Sequence, residues 1–171
     1  MTYMYHYNSP VGGITLSSNG IELTDLCFDS QKCFIETFSS EYIEKSLPIF
    51  EETALWLDIY FSGKAPCFTP PIKMKKATPF RKAVWDIVLT IPFGKTMTYG
   101  EISVKLAMQS GFSKMSAQAV GGAVGHNSIL LIIPCHRVVG ANGRLTGYAG
   151  GIDKKMQLLA FEKADIFSSF V

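Results

Sequence analysis

Apolar and polar residues alternate on both sides of Asn19-Gly20, over residues 13–18 and again over residues 21–28. A period of two is typical of an extended strand with one face toward a core and the other toward solvent. Asn-Gly is a strong turn signal between two such segments. The pattern therefore predicts a β-hairpin over residues 13–28.

Two amphipathic segments follow the hairpin, near residues 31–45 and residues 50–62. In the second, Leu55 and Ile59 lie at i, i+4 spacing, as do Trp56 and Tyr60, which is typical of a helix with an apolar face. Together with the hairpin, these segments predict a small α/β unit.

A change of composition marks a domain boundary. Residues 64–78 contain three prolines and four lysines without an apolar period, which indicates an exposed connection. We therefore predict an N-terminal α/β domain over residues 1–63, a linker over residues 64–77 and a second, mostly helical domain over residues 78–171.

The second domain begins with helix signals. Thr78 followed by Pro79 predicts an N-cap and a first helical residue, and Pro92 and Gly94 end this helix. Because Phe80, Val84, Ile87 and Val88 share one face, that face is predicted to be buried.

Two further helices are predicted to form a helix-turn-helix. Thr98 with Glu101 three residues later fits a capping box that opens a helix through about Met108. Gly111 makes the turn, and a third helix follows near residues 115–124. A helix, a short turn with glycine and a second helix form the outline of a DNA-binding element.

The third helix is rich in very small residues, including two glycines that cost helix stability. One interpretation is close packing against another helix. The other is a close approach of the backbone to DNA, with phosphates meeting the helix N-terminus and Lys114 beside it. The sequence leaves both open.

Composition and charge limit the class of protein. Of the 171 residues, 47% are apolar and 18% are charged, which favours a globular chain. No apolar run reaches the roughly 18 residues of a membrane span, and the first ten residues lack a basic start and an apolar stretch. We therefore expect a cytoplasmic protein without a membrane partner.

The net charge of +2 hides an asymmetry. Residues 1–63 hold nine acidic residues and two lysines, a net charge of −7, whereas residues 64–171 hold fourteen basic and five acidic residues, a net charge of +9. A basic half of this size is compatible with a polyanionic partner, although a run of charge is more often simply a solvated surface.

The four cysteines are scattered singly at Cys27, Cys33, Cys67 and Cys135. Disulfide frameworks and zinc sites show tighter Cys/His spacing. We predict no metal, and we interpret His6 as a surface or strand histidine.

The chemistry is concentrated around Cys135. Residues 130–133 are a short apolar run that predicts a buried strand, and it leads directly into Cys135, His136 and Arg137. A thiol reacts as its thiolate, so we expect these two neighbours to lower the pKa of Cys135. Because adjacent side chains point apart, we expect a bridging water between Cys135 and His136, and a carboxylate behind the histidine, for which Glu162 is the candidate. The alternative is a buried, inert Cys135 with His136 and Arg137 merely exposed.

Cys135 belongs to a set of segments that occur together: IPFGKTMTYGEI at 91–102, AVGGAVGHN at 119–127, IPCHRVVG at 133–140 and GRLTGYAGG at 143–151, followed by LLAFE ending at Glu162. In this combination the chain strongly resembles the O6-alkylguanine-DNA alkyltransferases, also called methylated-DNA–protein-cysteine methyltransferases. The resemblance covers residues 78–162. The first half resembles the family's ribonuclease-H-like domain more loosely, through SPVGGITL at 9–16.

The resemblance implies a role for each matching residue. Cys135 is the acceptor nucleophile, His136 the base reached through water, and Glu162 the acid that orients His136. Asn127 ties the recognition helix to the active-site loop, and Tyr99 protonates the leaving guanine and helps to rotate the nucleotide. The implied substrate-binding residues are the pocket wall at Gly147 and Tyr148, the backbone of Val138, and the structural arginine Arg137.

The recognition helix is implied to enter the minor groove of DNA. Its implied contacts are Lys114, Gln118, Ala119, Gly121, Gly122 and Ala123. Many members of the family carry an arginine that replaces the extruded base in the stack, and this chain has Gln118 there. Glutamine can fill the gap and form hydrogen bonds with the orphan cytosine, but it carries no charge.

The resemblance implies a DNA repair protein. It would move the alkyl group of O6-methylguanine, and of O4-methylthymine, in duplex DNA to its own cysteine in a single turnover, as a monomer without a cofactor. Two other functions are weighed against it. An alkyltransferase-like protein would bind alkylguanine without removing the alkyl group, although such proteins lack a nucleophile at the cysteine position. A transcription regulator would use the helix-turn-helix alone.

Overall fold

The structure, a computed structural model, describes residues 1–29, 41–75 and 77–165. The chain divides into two compact units: unit 1 comprises Met1–Lys75 with Ser128–Leu130, and unit 2 comprises Lys76–Asn127 with Leu131–Val171. The limits predicted at residues 63 and 78 stay a prediction. Within the described ranges no helix is both long and apolar enough to span a membrane.

Unit 1 is built on a small mixed sheet. Among the described residues its strands are β1 (Thr2–Ser9), β2 (Gly12–Ser18), β3 (Leu23–Phe28) and β4 (Tyr42–Glu44), in the order β3-β2-β1-β4. β1 and β3 are antiparallel to β2, and β4 is parallel to β1. Helix α1 (Pro48–Phe61) packs against β1 and β2.

The predicted hairpin is confirmed as β2 and β3. Asn19 closes the turn with its side chain, because its Oδ1 accepts the backbone N–H groups of Ile21 and Glu22. Gly20 has φ +108°, a conformation that favours glycine. The local turn chemistry therefore fixes the register of the two strands.

Two features of unit 1 differ from the prediction. The amphipathic segment near residues 31–45 was expected to contribute helix to the α/β unit; residues 30–40 lie outside the described residues, but Tyr42–Glu44 form the edge strand β4, so a helix is not formed there. β1 was not predicted. β4 is stabilised by pairing with β1, which is distant in sequence and is not contained in local periodicity, whereas β1 pairs over most of its length with the adjacent strand β2.

Unit 2 is mostly helical. Its helices are α2 (Pro79–Val88), α3 (Tyr99–Ser110), α4 (Ala117–Gly125) and α5 (Ile152–Phe161), and a short parallel ladder joins β5 (Met97–Thr98) to β6 (Val138–Val139). Helices α2, α3 and α4 pack against one another. The helix-turn-helix prediction is confirmed as α3 and α4.

The helix termini form as their sequences predict. Thr78 Oγ1 accepts the backbone N–H of Arg81, and Thr98 and Glu101 form both hydrogen bonds of a capping box. Gly111 ends α3 in the left-handed conformation at φ +71°. These caps place Tyr99 at the first residue of α3.

The strand predicted at residues 130–133 is wrong. These residues are all buried, but they form a turn in which Leu131 has φ +66°, and the isolated bridge to Leu26 is made by Ile129, just before the turn. An apolar run indicates that its residues are buried, and burial alone does not distinguish a strand from a buried turn. This turn leads into a 3₁₀ turn, Cys135–Arg137, that continues into β6.

Candidate active site

Cys135 is held in place by the amide of Asn127. Asn127 Nδ2 donates to Cys135 Sγ at 3.0 Å and to the Ile133 carbonyl at 3.0 Å, and Asn127 itself is buried. Asn127 lies two residues beyond the end of α4. One side chain therefore joins the end of the second helix of the helix-turn-helix to the turn that carries the cysteine.

The next two residues share one buried carboxylate. His136 Nε2 lies 2.7 Å from Glu162 Oε1, and Arg137 donates from Nε to Glu162 Oε2 at 2.9 Å and from a terminal nitrogen to Oε1 at 3.1 Å. His136 has no exposed surface, and Glu162 is 4% exposed. Charged groups are seldom buried unless they are paired and hydrogen-bonded, and here each has partners.

The loop before β5, residues 91–94 with the sequence IPFG, completes this network through its backbone. The backbone N–H of Gly94 donates to Glu162 Oε2 at 3.0 Å, and the Ile91 carbonyl accepts from Arg137 at 2.7 Å. Gly94 has φ +74°, and a Cβ there would lie 3.1 Å from the Glu162 carbonyl oxygen. A glycine is therefore required at this position.

These contacts set the protonation states of His136 and Glu162. Burial alone would raise the pKa of Glu162, but the hydrogen bonds from His136 and Arg137, together with the guanidinium charge of Arg137, outweigh it and hold that pKa at about 2. Burial lowers the pKa of His136, so its ring is neutral at neutral pH. Because an ionised carboxylate only accepts hydrogen bonds, the proton of the neutral ring lies on Nε2, and Nδ1 carries the lone pair of a base.

The expectation for the Cys135 thiol is corrected by the structure. His136 and Arg137 were expected to lower its pKa, but burial raises the pKa of Cys135 to about 11, against the lowering effects of Asn127, Lys155 and nearby backbone N–H groups. His136 is neutral and Arg137 is paired with Glu162, so neither stabilises the thiolate as expected. The resting site therefore holds a thiol, and a base must take its proton.

Cys135 is only 2% exposed, but it lines a cavity of about 780 Å³ in unit 2. The cavity also contacts α3, α4 and the segment that follows β6. Its other lining residues are Tyr99, Gly100, Ala117, Gln118, Gly121, Val124, Gly125, Gly140, Ala141, Thr146, Gly147, Tyr148 and Ala149. The sulfur is thus available to a molecule that enters this cavity.

The structure divides the predicted substrate-binding residues into two groups. Gly147 and Tyr148 line the cavity, and the Tyr148 ring makes an edge contact with His136, with centroids 6.3 Å apart. Val138 and Arg137 are buried and are not among the lining residues. The Val138 carbonyl accepts a hydrogen bond from Lys155 instead. Direct substrate contacts by these four residues stay a prediction.

The predicted DNA contacts also separate by position. Gln118 and Gly121 line the cavity, and Ala119 and Gly122 are on the exposed side of α4. Ala123 is buried, and its carbonyl accepts from Trp85 Nε1, so here the small residue serves the packing of α4 against α2. Lys114 is exposed and lines a smaller cavity beside α3.

One buried charge was missed by the sequence analysis. Lys155 has no exposed surface, and its Nζ donates to the carbonyls of Val138 and Thr146. A signal was present, because residues 155, 158, 159 and 162 follow the i, i+3, i+4, i+7 spacing of the buried face of α5. A lysine on such a face requires a polar partner inside the protein.

The residues that the structure describes include no cluster of three or more His, Cys, Asp or Glu side chains suited to a metal ion, and the absence of a metal stays a prediction. His6 lies on β1, with its ring 3.4 Å from both Thr15 and Asp29.

Comparisons with known proteins agree on the family. The model of the 6-O-methylguanine DNA methyltransferase DNA-binding domain matches residues 79–164, and the model of its ribonuclease-like domain matches residues 2–74. A methylated-DNA–protein-cysteine methyltransferase of Mycobacterium bovis is 39% identical over 166 residues, covering 94% of each chain. One from Haemophilus influenzae is 34% identical, covering 95% of this chain and 88% of that protein.

Solved structures give the same result. The Mycobacterium tuberculosis O6-methylguanine methyltransferase has a TM-score of 0.79 at 38% identity, covering 95% of this chain and 93% of that one. The Mycobacterium tuberculosis OGT in complex with DNA has a TM-score of 0.80 at 36% identity, covering 99% of each chain. With both domain models matched in order and a Cys-His-Glu cluster beside a cavity, this chain belongs to the 6-O-methylguanine DNA methyltransferase family.

Proposed function

We propose that this protein repairs duplex DNA by transferring the alkyl group from O6 of guanine to Cys135 Sγ, in a reaction that each molecule performs once. One observation carries the proposal: a buried thiol lines a cavity next to a neutral histidine that a buried carboxylate orients. Such an arrangement supplies a nucleophile, a base and a site that excludes bulk water.

The proton and the alkyl group move in opposite directions. His136 Nδ1 takes the Cys135 proton, with a water as the relay, and Sγ attacks the alkyl carbon. The new S–C bond forms as the C–O6 bond breaks, and the electron pair of that bond stays on guanine. Tyr99 donates its phenolic proton to the departing base and recovers a proton from His136. The products are unmodified guanine and an S-alkylcysteine.

A paired base hides its O6 substituent inside the duplex, so the nucleotide must leave the stack at a cost of a few kcal/mol. Tyr99 and Gln118 both line the Cys135 cavity, one at the start of α3 and the other in the first turn of α4. As the family resemblance implies, α4 would be the recognition helix and would face the minor groove, with Gln118 filling the space that the nucleotide leaves. Readout in that groove is degenerate, which suits a protein that must examine every sequence.

The direct test is the mass of the Cys135 peptide after incubation with a duplex that contains O6-methylguanine. We expect one added methyl group on that peptide in the wild type and in Cys67→Ala, because Cys67 is an exposed free cysteine that is not among the cavity-lining residues. We expect none in Cys135→Ala. Methyl transfer by Cys135→Ala would contradict the proposal.

The same assay separates the alternatives. Tight binding of the damaged duplex without transfer would indicate an alkyltransferase-like protein, and sequence-selective binding that ignores iodoacetamide treatment would indicate a regulator. A duplex with O4-methylthymine tests the second substrate. That the protein acts as a monomer in the cytoplasm stays a prediction.

A further inference from the structure

Lys155 is fully buried in unit 2, and lysine is rarely found in such a place without a partner. Its Nζ donates to the carbonyl oxygens of Val138 at 2.5 Å, Thr146 at 2.9 Å and Gly147 at 3.5 Å. An ammonium group has three hydrogens, so three carbonyls match its full donor capacity. The geometry is that of a charged lysine held inside the protein.

These carbonyls belong to the cavity that contains Cys135. Thr146 and Gly147 are lining residues, and Val138 begins the strand that follows the cysteine turn. Lys155 Nζ also lies 6.0 Å from the centroid of the Tyr99 ring, which lines the same cavity. One ammonium therefore connects α5 with β6 and the cavity wall, beside Tyr99.

The charge of Lys155 acts on the titratable groups around it. It lowers the pKa of the Cys135 thiol, and it also lowers the pKa of His136, which favours the neutral base. Burial lowers the pKa of Lys155 itself to about 8, and the Cys135 thiolate acts in the opposite direction. The lysine cation and the cysteine anion thus favour each other.

We propose that Lys155 is a positioning residue for alkyl transfer: its ammonium fixes the wall of the guanine cavity and at the same time stabilises the anionic sulfur of Cys135. The inference rests on the proposed function for its substrate, but its electrostatic part concerns the free protein.

The electrostatic part is tested with iodoacetamide, which needs no DNA. The rate of modification of the Cys135 peptide is measured at pH 7, where the Lys155 ammonium is charged, in Lys155→Gln, which keeps a hydrogen-bond donor without the charge, and in Lys155→Arg, which keeps the charge. Lys154→Met is the matched control, because it removes a positive charge from the neighbouring, half-buried position of α5.

We expect Lys155→Gln to slow modification at pH 7 by about tenfold, which corresponds to a rise of about one unit in the pKa of Cys135. Lys155→Arg should slow it less, and Lys154→Met should leave the rate unchanged. An unchanged rate in Lys155→Gln would overturn the proposal. A faster rate would also overturn it, because that is the effect of a loosened cavity that hydrates the thiol.

The positioning part is tested by comparing two reactions of Lys155→Gln at one pH. Methyl transfer from an O6-methylguanine duplex should slow by a larger factor than modification by iodoacetamide, because only the guanine needs the wall. Equal factors would overturn this part. If the wild type transfers no methyl group, the proposed function fails, whereas the iodoacetamide rates at pH 7 still decide the role of the Lys155 charge.

Discussion

At the scale of single residues, the site depends on one carboxylate that serves two neighbours. Glu162 accepts hydrogen bonds from His136 and Arg137 and from the backbone of Gly94. It fixes the tautomer of the histidine and compensates the buried guanidinium. Glu162 therefore has two roles: it stabilises the buried Arg137 in the fold, and it sets the proton position of the His136 base. A sequence motif alone does not indicate both.

This network predicts an acid-sensitive contribution to stability. The pKa of Glu162 is about 2 in the folded protein, below its ordinary value of 4.5, so folding favours the ionised form. The contribution, on the order of 3 kcal/mol, is complete above about pH 4.5 and is lost as the pH falls toward about 2. Urea unfolding between pH 2 and 7 should show this loss in the wild type.

Glu162→Gln should be less stable than the wild type at pH 7, because Arg137 is then buried without its counter-ion, and the acid-dependent loss should shrink. Glu52→Gln, at an exposed position of α1, is the control and should match the wild type. An unchanged acid profile in Glu162→Gln would mean that Glu162 does not carry this contribution.

Tyr99 gives a kinetic prediction at the same scale. Tyr99→Phe should slow methyl transfer by about a hundredfold at saturating DNA, because the leaving guanine loses its proton donor. The affinity for the duplex should change far less. Since iodoacetamide needs no such donor, its rate with Cys135 is the control and should stay constant. An unchanged transfer rate would exclude Tyr99 as the donor.

At the scale of elements, the small residues of α4 have two separate explanations. Ala123 is buried against α2, which is the packing interpretation, whereas Gly122 is exposed with open space where a Cβ would be. Gly121 faces the ring of Tyr99, where an added Cβ would lie 3.8 Å from the ring carbons. The sequence left both interpretations open, and the burial of each residue shows whether its small side chain serves packing.

Gly122 therefore provides a test of the DNA-facing side of α4. Gly122→Ala should stabilise the free protein by about 0.5–1 kcal/mol, because alanine is the better helix former and nothing obstructs its methyl group. The same methyl group should weaken DNA binding if this side approaches the backbone of the duplex. Thermal unfolding and DNA titration measure the two effects. A more stable variant with unchanged DNA affinity would place the DNA contact elsewhere.

At the scale of the whole molecule, charge is distributed unevenly along the chain, with net −7 over residues 1–63 and net +9 over residues 64–171. Binding to DNA releases counterions in proportion to the phosphates that are neutralised. We therefore expect the affinity for undamaged duplex to fall steeply between low and moderate salt. Lys114→Gln should reduce the slope of the logarithmic salt plot by about one if Lys114 contacts a phosphate. A flat salt response would remove the basic half from the DNA interface.

The sequence alone determined the features that depend on neighbouring residues. The Asn19-Gly20 turn, the Thr78 cap and the Thr98–Glu101 capping box form as predicted, because each is closed by residues at most three positions apart. The family resemblance added the pairing of His136 with Glu162, which lie 26 positions apart and meet at 2.7 Å.

Tertiary structure decided what depends on distant chain and on burial. The edge strand β4 exists because β1 supplies its hydrogen bonds, and residues 130–133 form a buried turn, not a strand, because burial does not dictate backbone conformation. The pKa of Cys135 is raised because desolvation outweighs the nearby hydrogen bonds and charge. Lys155 can be buried because folding brings three backbone carbonyls within hydrogen-bond distance of its ammonium group. Desolvation and long-range contacts are properties of the packed chain, so they follow from the fold and not from spacing along the sequence.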